Sequence, residues 1–355
     1  HFLSKKHFGK VVLLEKTLLA AVSTGHSAAN VRTYYSNPVT AQLAWRAVHM
    51  FENDREELGG DSGFRQVGFF LLVEQDNVAI GDKVFRSEAE TGIDAQYISV
   101  DDAKDLAPNL TFDRVVKVLY EPRSGYADPT ETTRILATKA LDWGLEVHEG
   151  VRATGIQLEK GRVSGVTTDV GRIDTPVVIN AAGPWGRNVG SWVNLNYSIR
   201  WSREVELVID LPSTFGTFPV VSDPNLRFYF RPHADGKVLA GLGYPKEVEP
   251  IGLNDYDTGL DDFSKKRITE RLVDRIPAIR DQNVATGWAS VYTITDDWHP
   301  LVGTEPRVPG YYACFAGSGH SFKIGPPIGE ALADVIAGDK PEIDIHSLRP
   351  DRFVD

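Results

Sequence analysis

Residues Val11 to Lys16 read VVLLEK, a short apolar run that ends on a glutamate. A strand of this kind comes second in a dinucleotide-binding βαβ unit. There an acid roughly 20 residues beyond a Gly-x-Gly-x-x-Gly turn accepts ribose hydroxyls. Only HFLSKKHFGK precedes the run, about the length of the end of the intervening helix. Either the phosphate cradle has been lost, or, as expected here, a nucleotide-binding domain is entered part-way. Its phosphate cradle would lie upstream of His1, and Glu15 would be the half of the site that this chain carries.

The chain has 355 residues, enough for two domains or for one α/β domain with an inserted second sheet. No stretch approaches the roughly 18 to 20 apolar residues of a membrane helix. One cysteine, Cys314, rules out an internal disulfide framework and any multi-cysteine metal site. It fits a reducing compartment, the cytoplasm or the mitochondrial matrix if the source is eukaryotic. A net charge of -11 argues against nucleic acid as the main partner, because phosphate binding needs a positive field.

Along the chain, PVTAQLAWRAVHMFENDREELG repeats apolar residues at helical spacing, and FRQVGFFLLVE reads as a strand pair. Asp128 is a fitting N-cap and Pro129 a fitting first helical residue for a helix to about Trp143. A strand at Leu145–His148, two strands around Glu159–Arg162 and the buried strand Val177–Asn180 follow. This order belongs to α/β architecture. From about Arg200 to Gly243 the texture becomes alternating strands broken by Pro and Gly, the pattern of an antiparallel sheet in a second domain. The end returns to strand (Tyr311–Ala316), glycine loop (GSGHSFKIGPP) and a helix starting near Ile328.

Several segments carry chemistry. Glu15 at a strand end can hold two hydroxyls, or it is a surface charge. The loop Ser23-Thr24-Gly25-His26-Ser27 can bring backbone N–H groups against a phosphate or ring edge, or it is an ordinary connection. Asn180-Ala181-Ala182-Gly183 allows close approach of a flat ligand. Gly317-Ser318-Gly319-His320-Ser321-Phe322-Lys323 precedes a helix whose N-terminal dipole favours a carbonyl or anion, although glycine turns before helices are common.

Taken together, VVLLEK, STGHSAANVR, DPTETTRILATKAL, VVINAAGPW and GSGHSFKIGPPIGEALADVI resemble the FAD-dependent amine and amino-acid oxidoreductases. These include glycine oxidase, the sarcosine oxidases and dimethylglycine dehydrogenase (the DAO family), and the resemblance covers nearly the whole chain in order. It implies an α/β fold (α+β overall) with a discontinuous, GR2-type Rossmann-like FAD domain at residues 1–55, 128–196 and 287–355. A substrate domain on a large antiparallel sheet would take 56–127 and 197–286.

By the matched motifs, Glu15 would hold the adenosine ribose, and Ser23, Thr24 and His26 would line flavin and pyrophosphate. Ala153 would meet adenine through its backbone, with Ala182 and Gly183 near the same moiety. Gly319, His320, Ser321, Phe322 and Lys323 would follow the pyrimidine side of the isoalloxazine. Arg32 and Lys323 match a pair that clamps the substrate carboxylate, a design in which charge-assisted bonds orient the α-carbon. Tyr229 matches an aromatic of the substrate pocket.

The resemblance implies FAD-dependent oxidation of a small secondary or N-methylated amino acid (sarcosine, dimethylglycine, proline or glycine class). A hydride would pass to flavin N5, and the imine formed would hydrolyse. The acceptor would be O2, a quinone or a redox protein, and the chain would assemble with itself or with a second subunit. The flavin-tethering cysteine of monomeric sarcosine oxidases falls at Ser290, so non-covalent FAD is expected. His26 is the alternative point of attachment, with Gly25 where a tryptophan is usual. The oxygen-activating lysine of those oxidases falls near Gly241, which tilts the expectation toward a dehydrogenase. Two other readings share the scaffold: a non-catalytic regulatory subunit, and the oxidase domain of a tRNA-wobble-modifying enzyme, which the acidic balance disfavours.

Overall fold

The computed structural model describes residues 1–353 other than 244, 245 and 247. VVLLE forms the strand Val11–Glu15, paired in parallel with Leu145–Glu149 so that Glu15 stands opposite Glu149. The helix Pro129–Leu141 feeds that second strand. It starts as its sequence requires, with the Asp128 carboxylate accepting the Glu131 N–H at 2.8 Å and Pro129 in the first turn. A second piece of sheet has Val178–Asn180 parallel to Tyr311–Phe315, which in turn pairs antiparallel with Leu301–Thr304.

The helix after the glycine loop runs Ser321–Ala337, so it begins about seven residues earlier than expected and contains Pro326 and Pro327. The first four N–H groups of a helix need no internal acceptor. Beyond them Ile324, Ile328, Leu332 and Ile336 recur at helical spacing and pack against Leu43 and Ala44 of the helix Pro38–Glu52. Burial of that stripe outweighs the bonds lost at the prolines. One consequence places the site: Lys323 lies inside the first helical turn and not in a loop.

The largest sheet has eight strands. Arg200–Asp210, Phe228–His233, Lys237–Leu242 and Val284–Ile294 form its antiparallel half. Phe69–Glu74 and Val115–Glu121 lie in the other half. FRQVGFFLLVE therefore supplies one strand and not two, because Gly68 at φ +82° ends the extended run. The halves meet where Val220–Asp223 runs parallel to Phe69–Glu74, the sheet's one parallel junction among the described residues. No hairpin can join strands that far apart in sequence, so neither orientation is imposed there. One face of the sheet is apolar: Val205, Leu207, Phe228, Phe230 and Ala240 pack with Ile268 and Leu272 of the helix Asp262–Arg275. Strand alternation sends Glu204 and Glu206 to the opposite face.

Candidate active site

Two clusters stand beyond the carboxyl ends of the parallel strands. In the first, Glu15 Oε1 accepts the backbone N–H (2.8 Å) and hydroxyl (3.0 Å) of Thr17. The Val151 N–H donates to the Glu15 carbonyl at 3.0 Å, and Ala153 opens the next strand two residues on. Lys16 holds its ammonium 3.1 Å from the centre of the Trp185 ring, a cation–π contact that brings in the Ala182–Gly183 turn. Gly183 has φ +50°, and a Cβ there would meet nothing within 4 Å. The chain thus brings Glu15, Ala153, Ala182 and Gly183 to one end of the strands.

The second cluster gathers around Tyr35. Lys323, 6% exposed, donates to the Tyr35 hydroxyl at 3.1 Å. The Arg32 guanidinium lies 4.7 Å from the centre of the Tyr35 ring, and its Nη1 donates to the Tyr34 carbonyl at 2.6 Å. Burial, and then the charge of Arg32, push the Lys323 ammonium well below its ordinary pKa. Burial, and then Lys323, do the same to His320. A neutral His320 can accept through Nδ1, 3.1 Å from the Tyr35 hydroxyl. A donor chain then runs Lys323 to Tyr35 to His320. The half-buried Arg32 and the buried Lys323 both lie against Tyr35, and Glu121 is a carboxylate whose charge reaches Lys323.

Next to Arg32 in the chain, the Thr33 N–H donates to Glu121 at 2.8 Å. Glu88 is fully buried beside Glu121 and Thr33. Burial, and then Glu121, raise its pKa to about 10.

The loop Ser23–Ala29 is tied to the polar face of the eight-stranded sheet. The Ser23 hydroxyl donates to the Val291 carbonyl (2.8 Å), and the Trp288 indole donates to the His26 carbonyl (3.1 Å). Arg231 donates to the Ala28 carbonyl (2.6 Å), and the Ala28 N–H donates to Glu206 (3.1 Å). Tyr229 donates to the same Glu206 oxygen at 2.6 Å. Thr24 is exposed, and the His26 ring donates from Nδ1 to the Val22 carbonyl at 2.7 Å. Gly319 (φ +81°) lies against the Tyr292 ring, 2.2 Å from where a Cβ would be, so only glycine fits. Ser321 opens the helix exposed, whereas the partly buried Phe322 places its ring centre 5.6 Å from that of Phe51.

These residues fit an extended dinucleotide with a flat ring. Gly183 and Gly325 both face open space where a Cβ would stand, and the helix Ser321–Ala337 has no acid in its first turn to repel an electron-rich ring. Tyr35, Glu206 and Tyr292 were not read from the sequence. Tyr35 lay three residues beyond Arg32 in a run of two tyrosines, and its helical partners could be found only through the fold. A glutamate at every second position of an apolar strand, Glu204 and Glu206, was the one available signal for the polar face.

A family model described as FAD dependent oxidoreductase (DAO) matches residues 1–335. Mitochondrial sarcosine dehydrogenase from Mus musculus is 26% identical over 367 residues, covering 99% of this chain and 40% of that protein. A mitochondrial pyruvate dehydrogenase phosphatase regulatory subunit, also from Mus musculus, is 25% identical over 369 residues, covering 99% and 41%. The chain thus spans about two fifths of the length of these relatives. In fold, L-proline dehydrogenase from P. horikoshii superposes with a TM-score of 0.91 at 24% identity, covering 99% of this chain and 92% of that one.

Proposed function

The chain belongs to the DAO family of FAD-dependent oxidoreductases, and we propose that it binds FAD and oxidises a small secondary or N-methylated amino acid. The convergence of Arg32 and Lys323 on Tyr35 carries this reading. Bound FAD would supply the centre that accepts the electrons. The chain's own residues do the rest. Glu15 would take the ribose, and the Ser23–Ala29 and Gly319–Lys323 segments would border the ring system. Arg32 and Lys323 would bind the substrate carboxylate and fix the carbon to be oxidised beside it. The Tyr35 hydroxyl, already linked to Lys323, would keep that ammonium aimed at the anion.

A dehydrogenase is favoured over an oxidase. The space beside Gly241, where related oxidases carry a lysine, is filled by Tyr229: a Cβ at 241 would lie 2.6 Å from its hydroxyl. No helix among the described residues is long and apolar enough to cross a membrane.

The similarity to a phosphatase regulatory subunit gives a second reading, a non-catalytic subunit. A scaffold has no use for two cationic side chains converging on one buried tyrosine, so catalysis is preferred. The test is anaerobic bleaching of the flavin in the full-length protein by sarcosine, dimethylglycine, proline and glycine. Reduction by at least one supports the reading; a bound flavin that none of them reduces ends it.

A further inference from the structure

Three neighbouring strands each place one residue in line on the polar face of the large sheet. Glu206 stands opposite Gly241, and Gly241 stands opposite Tyr229. With no side chain at 241, the Tyr229 hydroxyl reaches across the middle strand and donates to Glu206 Oε1 at 2.6 Å. The Ala28 N–H donates to the same oxygen at 3.1 Å. The other oxygen, Oε2, is buried and has no hydrogen-bond partner among the described residues. Leaving a buried acceptor unmet is destabilising. One oxygen of this carboxyl is thus fixed by two donors, while its neighbour is kept vacant.

Tyr292 links this carboxyl to Arg32 and Lys323: Gly319, in the loop before Lys323, packs against its ring, and the charges of Glu204, Glu206 and Arg32 all reach its hydroxyl. An amino acid anchored by its carboxylate at Arg32 and Lys323 carries its nitrogen one carbon further on. We propose that Glu206 accepts the proton of the substrate ammonium at Oε2, with Tyr229 holding the carboxylate in place through Oε1. This inference rests on the proposed function. In the step, an N–H bond of the ammonium breaks, its electron pair stays on nitrogen, and an O–H bond forms at Oε2. Ammonium and carboxylate both become neutral. Only the neutral amine has a lone pair to stabilise the electron-poor carbon that C–H oxidation creates. Glu204, two residues before Glu206 on the same strand, pairs with the Lys246 ammonium, and both line an open cleft of about 740 Å³.

The charged and titratable groups around Glu206 are Glu204 on its own strand, Tyr229 and Arg231, Tyr292, and Lys246. Burial raises the Glu206 pKa to about 7, against the opposing pull of Tyr229, Arg231, Lys246 and the Ala28 N–H. Burial holds the Tyr229 phenol protonated, so it remains the donor.

Two measurements on the full-length, flavin-loaded protein test the assignment. One is the second-order rate of anaerobic flavin reduction across neutral pH. The other is the binding of trimethylglycine, a quaternary amine with no proton to give, read from the flavin spectrum. In the wild type both should rise through an ionisation near pH 7. Glu206→Gln should slow reduction by about 10²–10⁴-fold and abolish both rises, leaving only the substrate amine's own ionisation in the rate. Tyr229→Phe, which removes a donor to the carboxylate, should move both rises to higher pH. Flavin-loaded Glu206→Gln protein with both pH profiles unchanged overturns the inference and leaves the functional reading standing. Should Glu206→Gln not fold, unchanged profiles in Tyr229→Phe overturn it equally. Absence of bleaching by every amine overturns the functional reading, and this inference with it.

Discussion

At Lys323, burial and the charge of Arg32 both press the ammonium toward its neutral form, and an arriving carboxylate would relieve both. Each charge-assisted bond to that anion is worth about 1.5–3 kcal/mol, or about 10- to 150-fold. Lys323→Met should therefore lower kcat/KM for carboxylated amines by about that factor, mainly through KM, while the flavin stays bound; steady-state kinetics and the visible spectrum check it. Glu88 offers a test independent of activity. Its carboxyl ordinarily ionises near 4.5, but in the folded chain burial and then Glu121 hold the proton to about 10. A raised folded pKa means that the contribution to stability is full below about 4.5 and is lost as pH rises toward 10. Glu88→Gln keeps the shape and removes the ionisation. Its melting temperature should fall less between mildly acidic and alkaline pH than that of the wild type. Arg32 and Lys323, which meet at Tyr35, could be singled out because each sits in a motif of distinctive residues. Glu88 and Glu121 were not, since two acids more than thirty residues apart in sequence become one site only through packing.

At the scale of elements, the helix Asp262–Arg275 does more than cover the apolar sheet face. Its last residue, Arg275, is 1% exposed; Nε bonds Asp223 at 2.7 Å, Nη2 bonds Glu74 at 3.3 Å, and Nη1 donates to the Asp113 carbonyl at 2.9 Å. Asp223 and Glu74 end the two strands of the parallel junction, so one side chain fastens the halves of the sheet where no turn joins them. Arg275→Met strands a fully buried Asp223 and should cost about 3–5 kcal/mol, seen as a lower urea midpoint. Capped helices such as Pro129–Leu141 were readable because cap chemistry is local. The start of Ser321–Ala337 was misread because Gly325, Pro326 and Pro327 look like a loop, while the helix is held by an apolar stripe that packs against a segment nearly 300 residues away.

At the scale of the whole molecule, the α/β architecture followed from the order of strands, helices and turn residues, whereas the polar face of the large sheet depended on register. Glu206 meets Gly241 and Tyr229 only because three strands align, and a one-residue slip would turn each of them toward the apolar core. The mode of cofactor attachment is also a property of the assembled protein. His26 commits Nδ1–H to the Val22 carbonyl at 2.7 Å, which leaves Nε2 as the ring's reactive nitrogen, while Ser290 offers no thiol. Acid precipitation of the full-length protein should release its flavin into the supernatant; yellow colour kept in the pellet and lost in His26→Ala would reverse that expectation. The four ties between the Ser23–Ala29 loop and the sheet have a thermodynamic corollary. Glu206 and Arg231 grip the peptide at Ala28 from the side where the amine is proposed to bind. Any amine that alters that grip changes the affinity for the ring on the far side of the loop. By reciprocity, occupancy of the ring site changes the affinity for the amine by the same factor.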